Sequence, residues 1–512
     1  MAKIVGFALS FFLPLIIVRY LSQEAVGHYR ESFQVITNAV TILPLGFSMS
    51  AYYFLSRETE RRSAAVLNIL LFNFSIGGLA CLVLNLYPEL VGYIFRSDEL
   101  TRLAPLIGVV IWVWIFSAFL EMVPIANQEA KVATVFIICA SLSKTLFLGA
   151  AVLAFATVDA FLYAAIIQGV IQTALLLNYL RSRFPGFWGK FDRRFFVEQM
   201  AYAVPFGLTG ILWVAQNDIH NYFVGYQFSS ADFAIYAYGC FQLPLIAMLY
   251  ESVTSVLIPR MNTLQLVGDH EEMIRLTTRA MQKLAFFYFP IYAFLLITSQ
   301  TFIVTLFTEQ YAASASVFVV NLTLLPFSIV ITDPIVRSFK ELGRVFLLTR
   351  LFVLSALVAV LYFGLGYFSL TGVIAVAVGA FLVEKAITET MVIKKLGLGV
   401  RHLSLLNGIV KTAAITVLAG IVTWLVYSNS HSYVHRIAVN YAKDTFGIVR
   451  PGVLDFLSGS VVLLVSALVF VPIYLIAASF LGVIEDDEKM TVKRFFRRII
   501  QGRGPASIAE VQ

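Results

Sequence analysis

The sequence predicts an all-α protein that crosses a membrane about fourteen times. Of its 512 residues, 59% are hydrophobic and only 13% are charged, and its mean hydropathy is +0.85, which is not the composition of a water-soluble globule. Long apolar runs alternate with short polar joints, and a hydrocarbon core needs about 20 apolar residues for each helix. The runs are uninterrupted, which favours helices over a barrel of short alternating strands.

The apolar runs set the predicted spans, each bounded to within a few residues. The first six cover 4–19, 31–55, 63–87, 103–126, 131–156 and 158–180. The next six cover 199–225, 232–258, 284–308, 314–337, 345–369 and 371–393, and the last two cover 405–428 and 456–482. The charged stretch 269–283 predicts a helix, capped by Asp269, that leads into the ninth span.

The polar joints predict the orientation of the chain. Lys and Arg concentrate in every second joint, at 57–62, 181–194, 260–283, 337–344 and 394–401, and again in the tail at 489–498. The joints near 157, 226–231, 309–313 and 370 carry no cation, and Arg96 and Arg102 in another joint are partly offset by two acids. Because cytoplasmic loops retain Lys and Arg, both termini are predicted to be cytoplasmic, which requires an even number of spans.

The same composition argues against several other classes. The net charge of +7 comes mainly from cations next to the membrane, and anionic lipid explains these better than nucleic acid does. The three cysteines lie within apolar runs and imply no disulfide framework. Neither a Walker motif nor a Cys/His set with metal-ligand spacing occurs. We therefore predict no enzymatic activity, no cofactor and no bound metal.

A faint internal repeat links segments about 200 residues apart. Ser22, Val26, Gly27 and Tyr29 follow the first span, and Ser229, Phe233, Ala234 and Tyr236 follow the seventh with the same spacing. The paired spans also carry prolines, namely Pro14 and Pro44 in one half and Pro205 and Pro244 in the other. Proline breaks a helical hydrogen bond, and broken helices at matching positions of two halves are typical of transporters with a site between two lobes.

Three short motifs resemble a known family. The run Val18-Arg19-Tyr20-Leu21-Ser22, followed by Val26-Gly27-His28-Tyr29, is similar to the Arg-x-Leu-Gly…Gly-x-Tyr pattern of the polysaccharide flippases, with Ser22 in place of glycine. These flippases belong to the multidrug/oligosaccharidyl-lipid/polysaccharide exporter superfamily. The run 46–51 resembles the family's glycine-led second span. After Pro290, the run Leu306-Phe307-Thr308-Glu309-Gln310-Tyr311 resembles its Leu-Phe-Gly-x-x-Tyr turn, with Thr308 in the glycine's place.

The resemblance covers about residues 1–400 and implies both an architecture and a function. The architecture is two pseudo-symmetric six-helix lobes around a central cavity, plus two extra helices. It divides the chain into an N-terminal lobe with its linker (1–198), a C-terminal lobe (199–400), a two-helix unit (401–482) and a basic cytoplasmic tail (483–512). Relatives begin with a short cytoplasmic leader, so the resemblance leaves room for a start upstream of Met1.

The implied function is the movement of an undecaprenyl-diphosphate-linked oligosaccharide across the bacterial cytoplasmic (inner) membrane. Movement by alternating access would serve the export of a polysaccharide such as lipopolysaccharide. The implied partners are the lipid-linked oligosaccharide, membrane lipids, a polysaccharide polymerase and other assembly proteins, with no nucleic acid among them. The glycan, the coupling ion and the oligomeric state stay open.

Lys144 is the first candidate substrate-binding residue. It lies near the middle of the fifth span, beside Ser143 and Thr145, and this span carries no acidic residue. A charge at the centre of a membrane helix costs about 2.5–3.5 kcal/mol, and its ammonium would have to cross roughly half of a ~30 Å core to reach the interface. Lys144 is therefore expected to face the central cavity and attract a diphosphate. A pair with an acid of another helix is the alternative.

The twelfth span supplies the second candidate, Lys385, together with two possible coupling carboxylates, Glu384 and Glu389. Lys385 is interpreted as a cation opposite Lys144, with a carboxylate available for proton coupling. Since Lys385 and Glu389 are four residues apart and share a helix face, a simple ion pair between them is the alternative.

The remaining candidates are polar residues at other depths. Asp218 and His220 of the seventh span are interpreted as groups that bind sugar hydroxyls or relay protons, and a packed, hydrogen-bonded histidine is the alternative. Arg19 is a substrate-binding residue by the resemblance, with an interfacial anchor as the alternative. Glu251 and Asp333 are further coupling candidates, although Asp333 is expected to pair with Arg337.

Other functions stay open at this point. A cation-coupled multidrug exporter of the same superfamily would have twelve spans and an acidic cavity, whereas a peptidoglycan-precursor flippase would share the span count and the basic residues. A membrane polymerase or glycosyltransferase needs a large outer loop with catalytic acids. The largest predicted outer loop, 429–454, carries a single carboxylate, Asp444, which disfavours that class.

Overall fold

The structure is a computed structural model, and it describes residues 12–57, 60–189, 191–364 and 366–483. Helices and their connections account for these residues, and no strand occurs among them. The predicted all-α class is confirmed. Half of the predicted first span, residues 4–11, and the basic tail from residue 484 lie outside the described residues.

Twenty helices are numbered here in chain order. The first ten are α1 (12–20), α2 (Gln23–Ile42), α3 (Ser50–Arg57), α4 (Arg62–Leu86), α5 (Glu89–Phe95), α6 (Asp98–Ser117), α7 (Phe119–Ala126), α8 (Ala130–Ala154), α9 (Val158–Arg183) and α10 (Arg193–Gln227). The next ten are α11 (Ser230–Gly239), α12 (Pro244–Val267), α13 (His270–Phe307), α14 (Ser314–Leu322), α15 (Leu324–Phe327), α16 (Asp333–Ser338), α17 (Lys340–Gly364), α18 (Leu370–Leu396), α19 (Asn407–Phe446) and α20 (Pro451–Phe480).

Within the described residues, ten helices are long and apolar enough to span a membrane, and up to twelve if each interrupted pair is one span. One such pair is α2 with the segment Phe47–Arg57, bent by 48°, and the other is α11 with α12. The predicted tenth span consists of the shorter helices α14 to α16. The count of fourteen and the cytoplasmic termini stay predictions.

Serine and aspartate caps begin several of these helices. Ser22 accepts from the backbone N–H of Ala25 at the start of α2, and Ser229 accepts from that of Asp232 at the start of α11. The two serines are the first matched positions of the internal repeat, so both copies begin with the same cap. Asp269 accepts from the backbone N–H of Glu272 at 3.0 Å and caps α13 as predicted.

The chain forms two compact units that differ from the predicted lobes. Unit 1 comprises 1–244, 303–321 and 344–388, and unit 2 comprises 245–302, 322–343 and 389–512. The lobe boundaries at 198 and 400 stay predictions.

In unit 1, α2 and α11 cross at very close range. A Cβ atom on Gly27 would lie only 1.9 Å from the backbone oxygen of Ser230, so the crossing requires glycine at this position. An aromatic core holds the start of α10, since the rings of Phe54 and Phe195 are both buried and meet edge to face at 5.1 Å. The fold thus fixes the start of α10 within unit 1.

In unit 2, α19 and α20 form a long antiparallel hairpin that packs on α13. The Tyr474 hydroxyl of α20 donates to the carbonyl of Phe286 at 2.8 Å, and Phe470 lies beside Phe294 of α13. The expected outer loop 429–454 is wrong for most of its length, because α19 continues as one helix to Phe446. A short turn then leads into α20.

Candidate functional site

Seven polar side chains cross the middle of unit 1, and we call them the polar band. They are Gln34 and Asn38 of α2, Gln216, Asp218 and Asn221 of α10, Arg350 of α17 and Glu384 of α18. At 1.5 Å per residue, Arg350 lies about 15 Å from the start of α17, and Glu384 lies about 18 Å from the end of α18. These depths are close to the middle of a ~30 Å hydrocarbon core.

Glu384 is the best-held carboxylate of the polar band. Its side chain is almost fully buried, with 5% exposed. Arg350 donates to one carboxylate oxygen through Nε at 3.2 Å and Nη2 at 3.1 Å, and the Gln216 amide donates to the other oxygen. An ionised carboxylate accepts only, so Gln216 must present its N–H₂ group to Glu384.

A second group of the polar band joins α2 to α10. Asp218 is hydrogen-bonded to the side chains of Gln34 and Asn38. Asn221 donates to Gln34 at 3.3 Å, and Asn38 donates to the Tyr222 hydroxyl at 3.0 Å. The three α10 residues of the band therefore bind helices on two sides, α2 through Asp218 and Asn221 and α18 through Gln216.

His220 lies on a different face of α10 from Asp218. It is 8% exposed, and its Nδ1 lies 2.8 Å from the hydroxyl of Tyr236 in α11. The structure thus places His220 in the packed, hydrogen-bonded arrangement that the sequence left open. Its predicted role in substrate binding stays a prediction.

Lys144 lies on an exposed face of α8. Its Nζ is 4.4 Å from the centroid of the Trp114 ring, within the range of a cation–π interaction. Glu121 of α7 attracts it electrostatically. The acidic neighbour considered as an alternative is thus present, and the Lys144 residue as a whole is exposed.

The Trp114 ring beneath Lys144 is held in place on several sides. Its Nε1–H donates to the carbonyl of Ala165 in α9 at 3.0 Å, and its edge meets the ring of Phe33 at 5.9 Å. A Cβ atom on Gly169 would lie 2.9 Å from this ring, so the glycine makes room for it. Lys144 and Trp114 together offer a positive charge beside a fixed aromatic ring.

Arg19 joins two helices of unit 1. It donates to the carbonyl of Leu306 through Nη1 and to that of Thr305 through Nη2, each at 2.9 Å. These carbonyls end α13, where helical oxygens lack intrahelical partners and the helix dipole is negative. The structure gives Arg19 an anchoring position at a helix end, and its substrate role stays a prediction.

The other predicted residues lie on three helices. Lys385 Nζ lies 5.8 Å from the Phe381 ring centroid in α18, and Glu389 lies one turn further along. Glu251 is exposed on α12. Asp333 accepts from Arg337 Nε at 2.8 Å, so the expected pair is present. None of these contacts tests a role in coupling.

Four functional candidates were not identified from the sequence: Arg350, Glu121, Gln34 and Asn38. Arg350 and Glu121 lie inside predicted spans, each within six residues of a span end, and a charge inside a span is the signal that could have identified them. The two amides are uncharged, and only their contacts with Asp218 distinguish them. Within the described ranges, no group of three or more His, Cys, Asp or Glu residues could hold a metal ion.

Comparison with known proteins gives a family and a fold. The sequence model of a family described as "Polysaccharide biosynthesis protein" matches residues 16–316. A comparison with curated protein sequences gives no significant match.

Three solved structures show the likeness in fold. The lipid II flippase MurJ, in an inward closed conformation, has a TM-score of 0.68 at 14% identity, covering 94% of this chain and 98% of its own. An inward-facing multidrug resistance MATE family transporter of the MOP superfamily has a TM-score of 0.61 at 16% identity, covering 77% of this chain and 94% of its own. A MOP superfamily transporter from Pyrococcus furiosus has a TM-score of 0.55 at 15% identity, with the same coverage. The fold is therefore that of MOP superfamily transporters.

Proposed function

The chain belongs to the family of polysaccharide biosynthesis proteins whose model it matches, and from this premise we propose that it is a lipid-linked oligosaccharide flippase. Its substrate would be an oligosaccharide unit attached to undecaprenyl diphosphate. The unit would move from the cytoplasmic to the outer leaflet of the bacterial cytoplasmic membrane by alternating access. A polysaccharide polymerase on the outer side would be the next partner of the exported unit.

The observation that carries this proposal is the position of the Lys144 ammonium, 4.4 Å from the centroid of the Trp114 ring on an exposed face of α8. A cation in the middle of an apolar helix is costly unless it has water, a partner or a function. The substrate has two features that fit this arrangement. Its diphosphate is negative, and the C–H face of a sugar ring packs well against the electron-rich face of an indole. Glu121 would balance the charge of Lys144 between transport cycles.

The polar band supports the second part of the proposal, the coupling of transport to an ion gradient. Asp218 and Glu384 are carboxylates in the middle of the bundle, and each is bound to neighbouring helices by hydrogen bonds. When a proton or a metal cation neutralises one of these carboxylates, the carboxylate can accept fewer hydrogen bonds from the neighbouring helices. We assign these two carboxylates to coupling and leave the choice between H⁺ and Na⁺ to experiment.

The positive charge of Lys144 bears differently on two other candidate substrates. A cationic drug would be repelled by Lys144, which disfavours a multidrug exporter. A peptidoglycan precursor carries the same lipid diphosphate as the proposed substrate, so Lys144 does not separate the two. The glycan must therefore be varied in the assay.

The proposal predicts the effect of removing the basic side chains. Lys144→Ala or Lys385→Ala is expected to abolish polysaccharide export in a flippase-null strain, while the protein remains in the membrane. Lys144→Arg keeps the charge and is expected to retain part of the export. The measurement is surface polysaccharide, normalised to protein in the membrane fraction.

Lys131→Ala is the matched control, because Lys131 is an exposed lysine of the same helix, α8, and lies outside the proposed site. It is expected to support normal export. Full complementation by both Lys144→Ala and Lys385→Ala would overturn the site.

A further inference from the structure

Unit 2 contains a cavity that no residue of the polar band lines. Its volume is about 420 Å³, and its lining includes Thr301 of α13, His431, His435 and Arg436 of α19, and Val462 of α20. No acidic residue is among its lining residues. The cavity therefore combines one permanent positive charge with two groups that become positive on protonation.

The hydrogen bonds around His435 fix its orientation. Ser458 of α20 donates its only hydroxyl proton to the carbonyl of Leu454 at 2.6 Å, so its oxygen must accept from His435 Nε2–H at 3.0 Å. The opposite nitrogen, Nδ1, is not engaged by this serine. When His435 is protonated, Nδ1–H is free to donate to an anion.

His431 is oriented in a similar way. Its Nδ1 lies 3.0 Å from the carbonyl of Tyr427 and must donate to it. Its ring is stacked on the ring of Tyr427, and the Tyr427 hydroxyl is bonded to Thr301 at 2.6 Å. The histidine ring is therefore held in position from two sides. Its Nε2 lies 3.2 Å from the exposed Ser432 hydroxyl and carries a proton that it can donate to an anion only when the ring is protonated.

Arg436 is exposed, and within the described part of the chain no hydrogen bond or ion pair of its guanidinium is found. Arginine is suited to bidentate binding of a phosphate. An exposed arginine beside two held histidines, in a cavity without acids, is an arrangement that binds an anion.

The depth of the cavity identifies which anions can reach it. From Val461 to Phe480, α20 carries no charged residue, and 20 residues are about what a hydrocarbon core needs. The charge-free run as a whole begins at Phe456, so Ser458 and Val462 lie within its first two helical turns, near the predicted outer end. On α19, Tyr433, Ile437 and Tyr441 are each at least half exposed, at spacings of four residues, which is the apolar and aromatic stripe expected at a membrane interface.

We propose that this cavity binds the phosphate group of an anionic phospholipid in the outer leaflet. Arg436 holds the phosphate, His435 and His431 from adjacent turns of α19 lie beside it, and the lipid chains follow the apolar half of α20. This site is separate from the transport function proposed above, because its lining includes no residue of the polar band and none of Lys144, Trp114 and Glu121.

The test uses the purified full chain in detergent with added lipid. A ligand that binds the folded state raises its thermal stability by an amount that grows with the logarithm of the ligand concentration relative to Kd. Phosphatidylglycerol is expected to raise the Tm of the wild type, whereas phosphatidylcholine and inorganic phosphate at equal concentration do not. Arg436→Gln and His435→Gln are expected to weaken the apparent affinity for phosphatidylglycerol at least about tenfold, and Arg436→Lys is expected to retain most of it.

Lys443→Gln is the matched control, since Lys443 is an exposed cation of α19 that does not line the cavity. It should respond to phosphatidylglycerol like the wild type. An equal response of the wild type to phosphatidylcholine would overturn the proposal, and this comparison needs no variant to fold. A response to inorganic phosphate alone, or a stronger response to undecaprenyl diphosphate, would also overturn it, by assigning the cavity to a free anion or to the transported lipid. An unchanged affinity of the folded Arg436→Gln variant for phosphatidylglycerol would overturn it as well.

Discussion

Glu384 shows at the scale of single residues how this apolar bundle tolerates charge. Its carboxylate is buried and receives hydrogen bonds from two other helices, through Arg350 and Gln216. Leaving one charge of a buried pair without its partner is much more costly than the pair itself is stabilising. Removing Arg350 alone is therefore expected to destabilise the protein more than replacing Arg350 and Glu384 together.

This asymmetry gives a stability prediction. Arg350→Ala is expected to lower the free energy of unfolding by about 3–5 kcal/mol, because it leaves Glu384 buried and unpaired. The double variant Arg350→Met with Glu384→Gln is expected to lose less than Arg350→Ala alone. Unfolding in mixed micelles, followed by circular dichroism, measures both.

The control for this prediction is Arg337→Ala, which removes an ion pair of similar length whose arginine is 62% exposed. Such pairs contribute about 0–1 kcal/mol. Additive losses in the Arg350 and Glu384 double variant would contradict the account, since they would mean that the two side chains act independently.

At this scale, the sequence was informative about charges and less so about their partners. Glu384, Asp218 and Lys144 could be identified because an ionisable group in an apolar run is conspicuous. Arg350 lies nearer a predicted span end, where an arginine is expected to reach the interface. Gln34 and Asn38 could not be identified, because an amide in a helix becomes informative only once its hydrogen-bond partner on another helix is known.

At the scale of secondary-structure elements, the crossing of α2 and α11 is the tightest test of the fold of unit 1. Both helices begin with a capping serine, and both copies of the repeat bury their matched residues there. Gly27 lies against the backbone of Ser230, so the space at the crossing is limited by main-chain atoms that cannot rotate away.

Gly27→Ala is therefore expected to destabilise the protein even though alanine is the better helix former. Inserting a methyl group into a packed contact costs about 1–3 kcal/mol, and a main-chain neighbour at 1.9 Å places this case at the upper end. Gly149→Ala is the control, because Gly149 lies in α8 and a Cβ atom there would meet nothing within 4 Å.

The control should raise the free energy of unfolding by up to about 1 kcal/mol, as expected for Gly→Ala in a helix. The measurement is the Tm of each purified variant. Equal Tm values for Gly27→Ala and the wild type would show that the α2 and α11 contact is looser than described here.

The elements also show where the sequence was misread. The repeat was visible in the sequence because capping and packing residues recur at the same spacing. The outer half of α19 was not, because its Ser, Asn and His residues resemble a loop. No glycine or proline interrupts it before Gly447, which adopts a φ of +62° and ends the helix. Packing against α20 keeps this polar segment helical. The polar composition of the segment does not reveal that packing.

At the scale of the whole molecule, the cations that depart from the positive-inside pattern have separable tasks. Arg19 binds the end of α13, Arg350 neutralises Glu384, and the Lys144 ammonium lies over an aromatic ring. Composition alone predicted a polytopic membrane protein, the family model places the chain among polysaccharide biosynthesis proteins, and its fold is that of MOP superfamily transporters. The substrate is the part that neither composition nor fold specifies, since related folds move different molecules.

The most direct measurement of the central claim is flipping by the purified chain in proteoliposomes. Undecaprenyl-diphosphate-linked oligosaccharide is placed in one leaflet, and its appearance in the other is followed with a membrane-impermeant enzyme that cleaves the exposed glycan. Lipid II and a cationic drug serve as competing substrates in parallel vesicles. We predict protein-dependent flipping of the oligosaccharide, slowed at least about tenfold by Lys144→Ala and unchanged by Lys131→Ala. Transport of lipid II or the drug without flipping of the oligosaccharide would contradict the account.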